Sequence, residues 1–263
     1  MQSPTDFLRR KGWRQTAIIA IIGGIYVFGS WILNYNNFAG FTAVPKAFAW
    51  LGINFKPSAN TMDYLPKIWQ KLFQTVLLAI ASTVVASAIS IFVALLGSKV
   101  TGINATVQTI VRGIASFFRN IPLVAWSMIL LFSFKQSDFT GFLALLLLSI
   151  GYLIRAFMEI IEDEASETML ALKATGASYF QVIFQAVLPQ ILPSILSWIL
   201  YMIENNVRDA TLVGILTGTG IGFIFDVYFK NFRYDAAGMA ILAIIIVVIA
   251  LETISNQIRR VIL

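Results

Sequence analysis

Six stretches of mainly apolar residues, each long enough to cross hydrocarbon at about 20 residues per helical span, govern what this chain can fold into. They lie at 16–35, 73–96, 114–134, 139–161, 190–227 and 236–254. Lipid offers a buried backbone no hydrogen-bonding partner, so a spanning segment must satisfy its own amides, and a helix does this within one segment. The expected fold is therefore all-α: a polytopic membrane protein of six transmembrane helices. Composition agrees, with 58% hydrophobic residues and 12% charged, where a soluble domain carries about 25% charged. We read one membrane domain over 1–263, with an N-terminal tail, first span and external loop at 1–66. The core is 67–263 and includes a loop at 162–189.

Absent residue types exclude several kinds of chemistry. The chain has no cysteine and no histidine, which removes disulfide frameworks, thiolate metal sites and Ser-His-Asp catalysis. The formal net charge is +6, but Lys and Arg sit at the ends of the apolar runs. That placement fits anchors against membrane lipid rather than a nucleic-acid surface. Arg9, Arg10, Lys11 and Arg14 precede a first run too long for a signal peptide, so it is expected to be a retained helix. Placing the N-terminus in the cytoplasm puts Lys99, Arg112, Lys173, Arg259 and Arg260 on the same side. Lys46, Lys56, Lys67, Lys135, Lys230 and Arg233 then fall outside, and the polar segment around Pro45, Lys46, Lys56, Pro57 and Pro66 reads as an external loop. Gly97-Ser98-Lys99 lacks the upstream glycine and following hydroxyl of a phosphate-binding loop, so no nucleotide site of that kind is expected here.

The loop between the fourth and fifth spans opens with Glu162, Asp163, Glu164 and Glu167, too acidic to face lipid. It continues through Leu170-Ala171-Leu172-Lys173-Ala174-Thr175-Gly176-Ala177, a short helical stretch ending at a glycine suited to a C-cap. Pro189 then opens the next span. Small residues at Ala171 and Ala174 permit close approach by another chain, while an amphipathic connector is the plainer alternative. Ala171, four residues, Gly176, twelve residues, Pro189 is the spacing of the loop that marks permeases of ATP-binding-cassette importers. Leu170 stands where that family has glutamate, and Ala186 where it has isoleucine.

Three further stretches resemble the phosphonate branch of that family. They are Arg119-Asn120-Ile121-Pro122-Leu123-Val124-Ala125-Trp126, Ala174-Thr175-Gly176-Ala177-Ser178, and Glu204-Asn205-Asn206-Val207-Arg208-Asp209-Ala210-Thr211 followed by Gly214 and Gly218-Thr219-Gly220-Ile221-Gly222. The resemblance runs from about residue 67 to the C-terminus. It implies a permease subunit of an importer in the bacterial inner membrane, with both termini cytoplasmic and a coupling helix in the 162–189 loop. The implied partners are a dimer of ATPase subunits, a second permease copy or sister permease, and an extracytoplasmic phosphonate-binding protein. ATP and Mg would be held by the ATPase, with no cofactor on this chain. The implied cargo is phosphonate or a related phosphorus oxyanion such as phosphite or a phosphate ester. Methionine and amino-acid permeases share the loop and remain an alternative. A membrane-embedded enzyme or a stand-alone channel or carrier is the rival of another class.

The coupling residues are then Leu170, Ala171, Leu172, Ala174, Gly176, Ala177 and Pro189. The pathway candidates are Arg119, Asn120, Glu204, Asn205, Arg208, Gly218, Gly220 and Gly222. Charge at membrane depth needs a partner or a wet cavity, and the fifth segment reads as two apolar pieces interrupted by Glu204–Asp209. Arg208 either lines a pathway or clamps Glu204 or Asp209. Arg119 either reaches the inner surface or faces a cavity, and Arg155 is expected to pair with Glu159 one turn away. Gly218, Gly220 and Gly222 serve close helix packing or a flexible gate.

Overall fold

The computed structural model describes the backbone of residues 4–262 and the side chains of residues 12–58 and 61–262. The Arg9, Arg10 and Lys11 side chains lie outside the described residues. Described residues form helices and turns, with no strand among them. The chain divides into one unit at 1–54 and a second at 55–263.

The first unit is a helical hairpin of α1 (Pro4–Ile32) and α2 (Asn37–Asn54). The turn places Asn34 at φ 49°. It is pinned by Tyr26 Oη donating to Asn37 Oδ1 at 2.5 Å and by Asn36 Oδ1 accepting from Ala39 N at 3.0 Å. The expected external loop is thus helical over 37–54. The sequence reading gave Pro45 and Lys46 too much weight. Proline removes one backbone bond from a helix, and Phe, Ala, Trp and Leu around it are otherwise compatible with helix.

In the second unit, α3 (Leu65–Gly97) and α6 (Asp138–Glu164) form the centre. The face of α3 turned inward carries Thr75, Ala79, Ser82, Thr83, Ala86, Ser87, Ser90 and Ala94, all buried. Their spacing of three and four gives one helical stripe, and small side chains let membrane helices approach closely. The hydroxyls in that stripe are largely self-satisfied: Thr83 donates to Ala79 O at 2.7 Å and Ser87 to Thr83 O at 2.7 Å. Opposite lies the apolar face of α6, with Leu145, Leu153, Ile154, Phe157 and Ile161 at or near zero exposure.

The third span is not a straight rod. Helices α4 (Ala105–Asn120) and α5 (Leu123–Phe134) meet at 88° across Ile121-Pro122. Proline forces the residue before it out of the helical region, and Ile121 is extended at φ −86°, ψ 118°. At about 1.5 Å per residue α5 is ~18 Å long, short of the ~30 Å hydrocarbon core. The elbow rests on α6 at Gly151, where a Cβ would lie 2.6 Å from Arg119 N and 2.9 Å from Phe118 Cβ.

The fifth segment differs from expectation in the opposite sense. After α7 (Ser166–Ala174), the chain enters α8 (Tyr179–Val182), a π turn at Ile183–Val187, and α9 (Leu188–Thr217). Together these make a helix of 39 residues from Tyr179 to Thr217, with no break at the polar run. Glu204–Asp209 contains no glycine or proline, and Glu204, Asn205 and Arg208 find partners within helical reach, so polarity there does not interrupt the helix. The break comes later, at Gly218-Thr219, where Gly218 closes α9 at φ 69°. Short α10 (Gly220–Lys230) and long α11 (Tyr234–Ile262) complete the unit.

Asn206 joins the three central helices. Its side chain has no solvent exposure, and Nδ2 donates to Thr83 Oγ1 on α3 and Ser149 Oγ on α6, both at 2.8 Å. Asn206→Leu removes both bonds and should destabilise the second unit by about 1–2 kcal/mol. Thermal melts in detergent measure this. Thr83→Val in the Asn206→Leu background should add little, because the shared bond is already gone. An unchanged melt for Asn206→Leu would remove the knot from the account of the fold.

Candidate functional site

Two ion and hydrogen-bond clusters at the base of α6 seat the 162–189 loop. Glu162 Oε1 accepts from Arg112 Nη2 on α4 at 2.7 Å and from Lys99 N at 2.9 Å. Glu164 Oε1 accepts from Ser194 Oγ on α9 at 2.5 Å, and its carbonyl accepts from Gln190. Tyr179 Oη donates to Thr101 O at 2.9 Å. The acidic opening of the loop therefore ties α6 to both α4 and α9.

From that base α7 projects with two different faces. Met169 is buried, and Leu172 and Ala177 pack on the central core. Leu170 is 70% exposed, and Ala171 and Ala174 are exposed beside it. Gly176 turns the chain at φ 83°, a conformation that disfavours any side chain. Ser178 and Gln181 form a capping box that starts α8. Phe180 at 70% and Phe184 at 63% exposure continue the apolar surface, and Pro189 lies in the first turn of α9. Of the expected coupling residues, Leu170, Ala171, Ala174, Gly176 and Pro189 are exposed, whereas Leu172 and Ala177 hold the loop to the core.

Deeper along α9, the Arg208 guanidinium pairs with Glu204 through Nη2, one turn away. Nη1 faces Asn205 Oδ1 at 3.4 Å. The Glu204 side chain is only 10% exposed while that of Arg208 is 44% exposed, so a buried carboxylate holds a half-exposed guanidinium. Glutamate four residues before arginine is the favourable order on a helix. Asn205 also lines a cleft of about 340 Å³ between α6 and α9, with Tyr152, Trp198, Tyr201 and Asp209 on its walls. The fixed positive charge thus sits next to a concave surface of mixed aromatic and polar character.

Arg119 and Asn120 end α4 at the elbow and are exposed, away from the Arg208 cluster in sequence and in element. Arg155 pairs with Glu159 at 2.5 Å as expected from their spacing. Gly220 and Gly222 stand where backbones and side chains crowd. A Cβ at Gly220 would strike Thr75 Oγ1, and one at Gly222 would strike Thr211 O. Ile221 N donates to Thr75 Oγ1 at 2.9 Å, so this glycine run packs α10 onto α3 and α9. Asn206 stands in the polar run of the sequence without an assigned role, and neither its partners nor the Arg112–Glu162 pair were legible there. Their partners lie 50 to 123 positions away, and no local spacing marks them.

Similarity to known proteins follows the same core. The chain is 28% identical over 202 residues to the phosphate-import permease protein PhnE of Mycolicibacterium smegmatis, covering 77% of this chain and 38% of that protein. It is 26% identical over 257 residues to the phosphite transport system permease protein PtxC of Stutzerimonas stutzeri, covering 94% and 90%. In fold it is similar to the inward-facing MetNI methionine ABC transporter, with a TM-score of 0.68 at 18% identity over 78% of this chain and 99% of that one. A bacterial ABC transporter involved in import of the acidic polysaccharide alginate gives 0.65 at 15% identity, over 96% and 98%. Residues 86–262 match the binding-protein-dependent transport system inner membrane components, and the chain belongs to that family.

Proposed function

We propose that this chain is the permease subunit of an ATP-driven importer and forms the pathway for a phosphorus oxyanion such as phosphonate, phosphite or a phosphate ester. The observation that carries the reading is the loop: an exposed apolar strip, Leu170, Ala171, Ala174, Phe180 and Phe184, on a base fixed to three core helices. Such a strip is left uncovered among the described residues and suits a groove on a separate ATPase dimer, which would hold ATP and Mg. A second permease copy or sister permease would complete the pathway, and an extracytoplasmic binding protein would deliver cargo. In this reading both termini and the loop lie in the cytoplasm of a bacterial inner membrane. The names of PhnE and PtxC support the cargo class, as does the half-exposed Arg208, because a guanidinium fork matches the oxygens of a tetrahedral anion.

Amino-acid import is the second reading, favoured by one observation. The Asp209 carboxylate lies in a cleft with Tyr152, Trp198 and Tyr201, surroundings that also suit an ammonium group. Proteoliposomes holding the assembled transporter separate the two: phosphonate uptake that excess methionine leaves unchanged supports the oxyanion, and methionine uptake instead would replace it.

Two sets of variants test the parts. Ala171→Glu and Gly176→Asp place charge on the docking strip and should reduce ATPase co-purification and uptake together, by about tenfold if one well-packed contact is lost. Normal uptake by both variants would reject the docking role. Arg208→Ala should lower uptake roughly tenfold or more, the worth of one charge-assisted bond to an anion, with folded yield and basal ATP hydrolysis retained. Arg208→Lys should restore part of the loss. If Arg208 only clamps Glu204, the alanine variant should lose folded complex instead, as should Glu204→Ala.

A further inference from the structure

Arg259, in the last turn of α11, carries a charge that no described acidic residue pairs with. Nη1 donates to Asn256 Oδ1 at 3.1 Å. Nε and Nη2 are shut away from solvent without an acceptor. These two nitrogens form one edge of the planar guanidinium, the edge that meets a carboxylate or phosphate with two parallel hydrogen bonds. Buried donors nearly always have partners, and an exception asks for an ion or group that belongs there. Arg112 also has an unpartnered Nε, but its charge is matched by Glu162. The four ion pairs among the described residues do not include Arg259.

The same residue lines a cleft of about 260 Å³ with Ser197, Trp198 and Tyr201. Trp198 and Tyr201 also wall the cleft that holds Asn205 and Asp209. Their rings meet edge to face at 5.5 Å, so the pair stands as a partition on α9 between two hollows. The hollow nearer the 162–189 loop is the one with Arg259. To meet an anion in that hollow the guanidinium would turn about its terminal torsions and give up its bond to Asn256.

We propose that Arg259 and Ser197 form a second anion site, at the loop end of the groove between α9 and α11, for a tetrahedral phosphorus oxyanion. The class follows from the unpaired two-nitrogen edge beside a hydroxyl and does not depend on the cargo proposed above. A free phosphonate or phosphate ion and the phosphodiester of an anionic lipid present the same chemistry.

The full chain, assembled as it is purified, is placed in phosphatidylcholine nanodiscs and titrated with radiolabelled methylphosphonate. In parallel, phosphatidylglycerol retained through detergent washing is counted by mass spectrometry. Arg259→Gln should weaken methylphosphonate binding at least about tenfold, and Arg259→Lys should restore only part, since a point charge lacks the fork. Ser197→Ala should give a smaller loss. If the lipid is the occupant, methylphosphonate binding will be the same in Arg259→Gln as in the unaltered chain, and the Arg259→Gln variant will retain correspondingly less phosphatidylglycerol. Either Arg259-dependent result supports the site. Binding and lipid retention both unchanged in Arg259→Gln would overturn it. So would dissociation of Arg259→Gln from a second permease copy, because a partner carboxylate would then be what the edge meets. Arg259→Lys and Ser197→Ala keep the test open if the glutamine variant fails to fold.

Discussion

The amide of Asn206 sits where no solvent reaches and bridges α3 and α6 from the middle of α9. Hydrocarbon gives no net drive for one apolar helix to prefer another over lipid, so packing and a few interhelical hydrogen bonds must set the register. Small residues along α3 let α6 approach, and Asn206 fixes where α9 lies across both. Everything the second unit offers as function hangs from that register. The guanidinium of Arg208 is two positions further along the same helix, and the loop ties to α9 through Ser194 and Gln190.

Polarity inside the bundle is handled in three different ways, which separate structural from available groups. Hydroxyls on α3 return their protons to their own helix and cost little. Asn206 donates through Nδ2 to Ser149 and Thr83 across helices. Glu204 is nearly buried and is neutralised by Arg208, which itself stays half exposed. Only the last arrangement leaves a charge facing outward, held in place by a carboxylate that lipid and water do not reach. That asymmetry favours Arg208 over Glu204 as the group that meets a ligand.

Much of this was legible in the sequence, and the failures have physical causes. Long apolar runs located α1, α3, α6 and α11 because hydropathy reports burial from water whatever the topology. Arg155–Glu159 was legible because an i,i+4 pair is local. Pro122 inside the third span marks a kink in the sequence, but hydropathy does not see direction, and the size of the turn, 88° with both arms apolar, was not legible. The fifth was misjudged because a polar run was taken as a break, although its residues bond to each other and to α3 and α6. Glu162 was recognised as too acidic for lipid, yet Arg112 as its partner was out of reach, fifty positions away.

The continuity of α9 has a mechanical consequence for the proposed role. An interrupted fifth helix would separate the loop from Arg208, and motion at one would be absorbed at the break. A single helix from Tyr179 to Thr217 carries displacement along its length instead. Two points in it depart from regular helix: Pro193, which removes one backbone bond, and the π turn at Ile183–Val187, where the backbone bonds to the fifth residue rather than the fourth. Such turns hold an extra residue and are less stable than regular helix. The π turn lies between the exposed Phe180 and the bond from Gln190 to Glu164, with its own Ile183 and Val187 buried in the core. Glu164, bonded to Ser194 beyond that turn, provides a second route from the base of α6 into α9 that bypasses it. If the loop docks on an ATPase, the path toward Arg208 runs through the buried side of the loop, Met169, Leu172 and Ala177, and through Glu164 into α9.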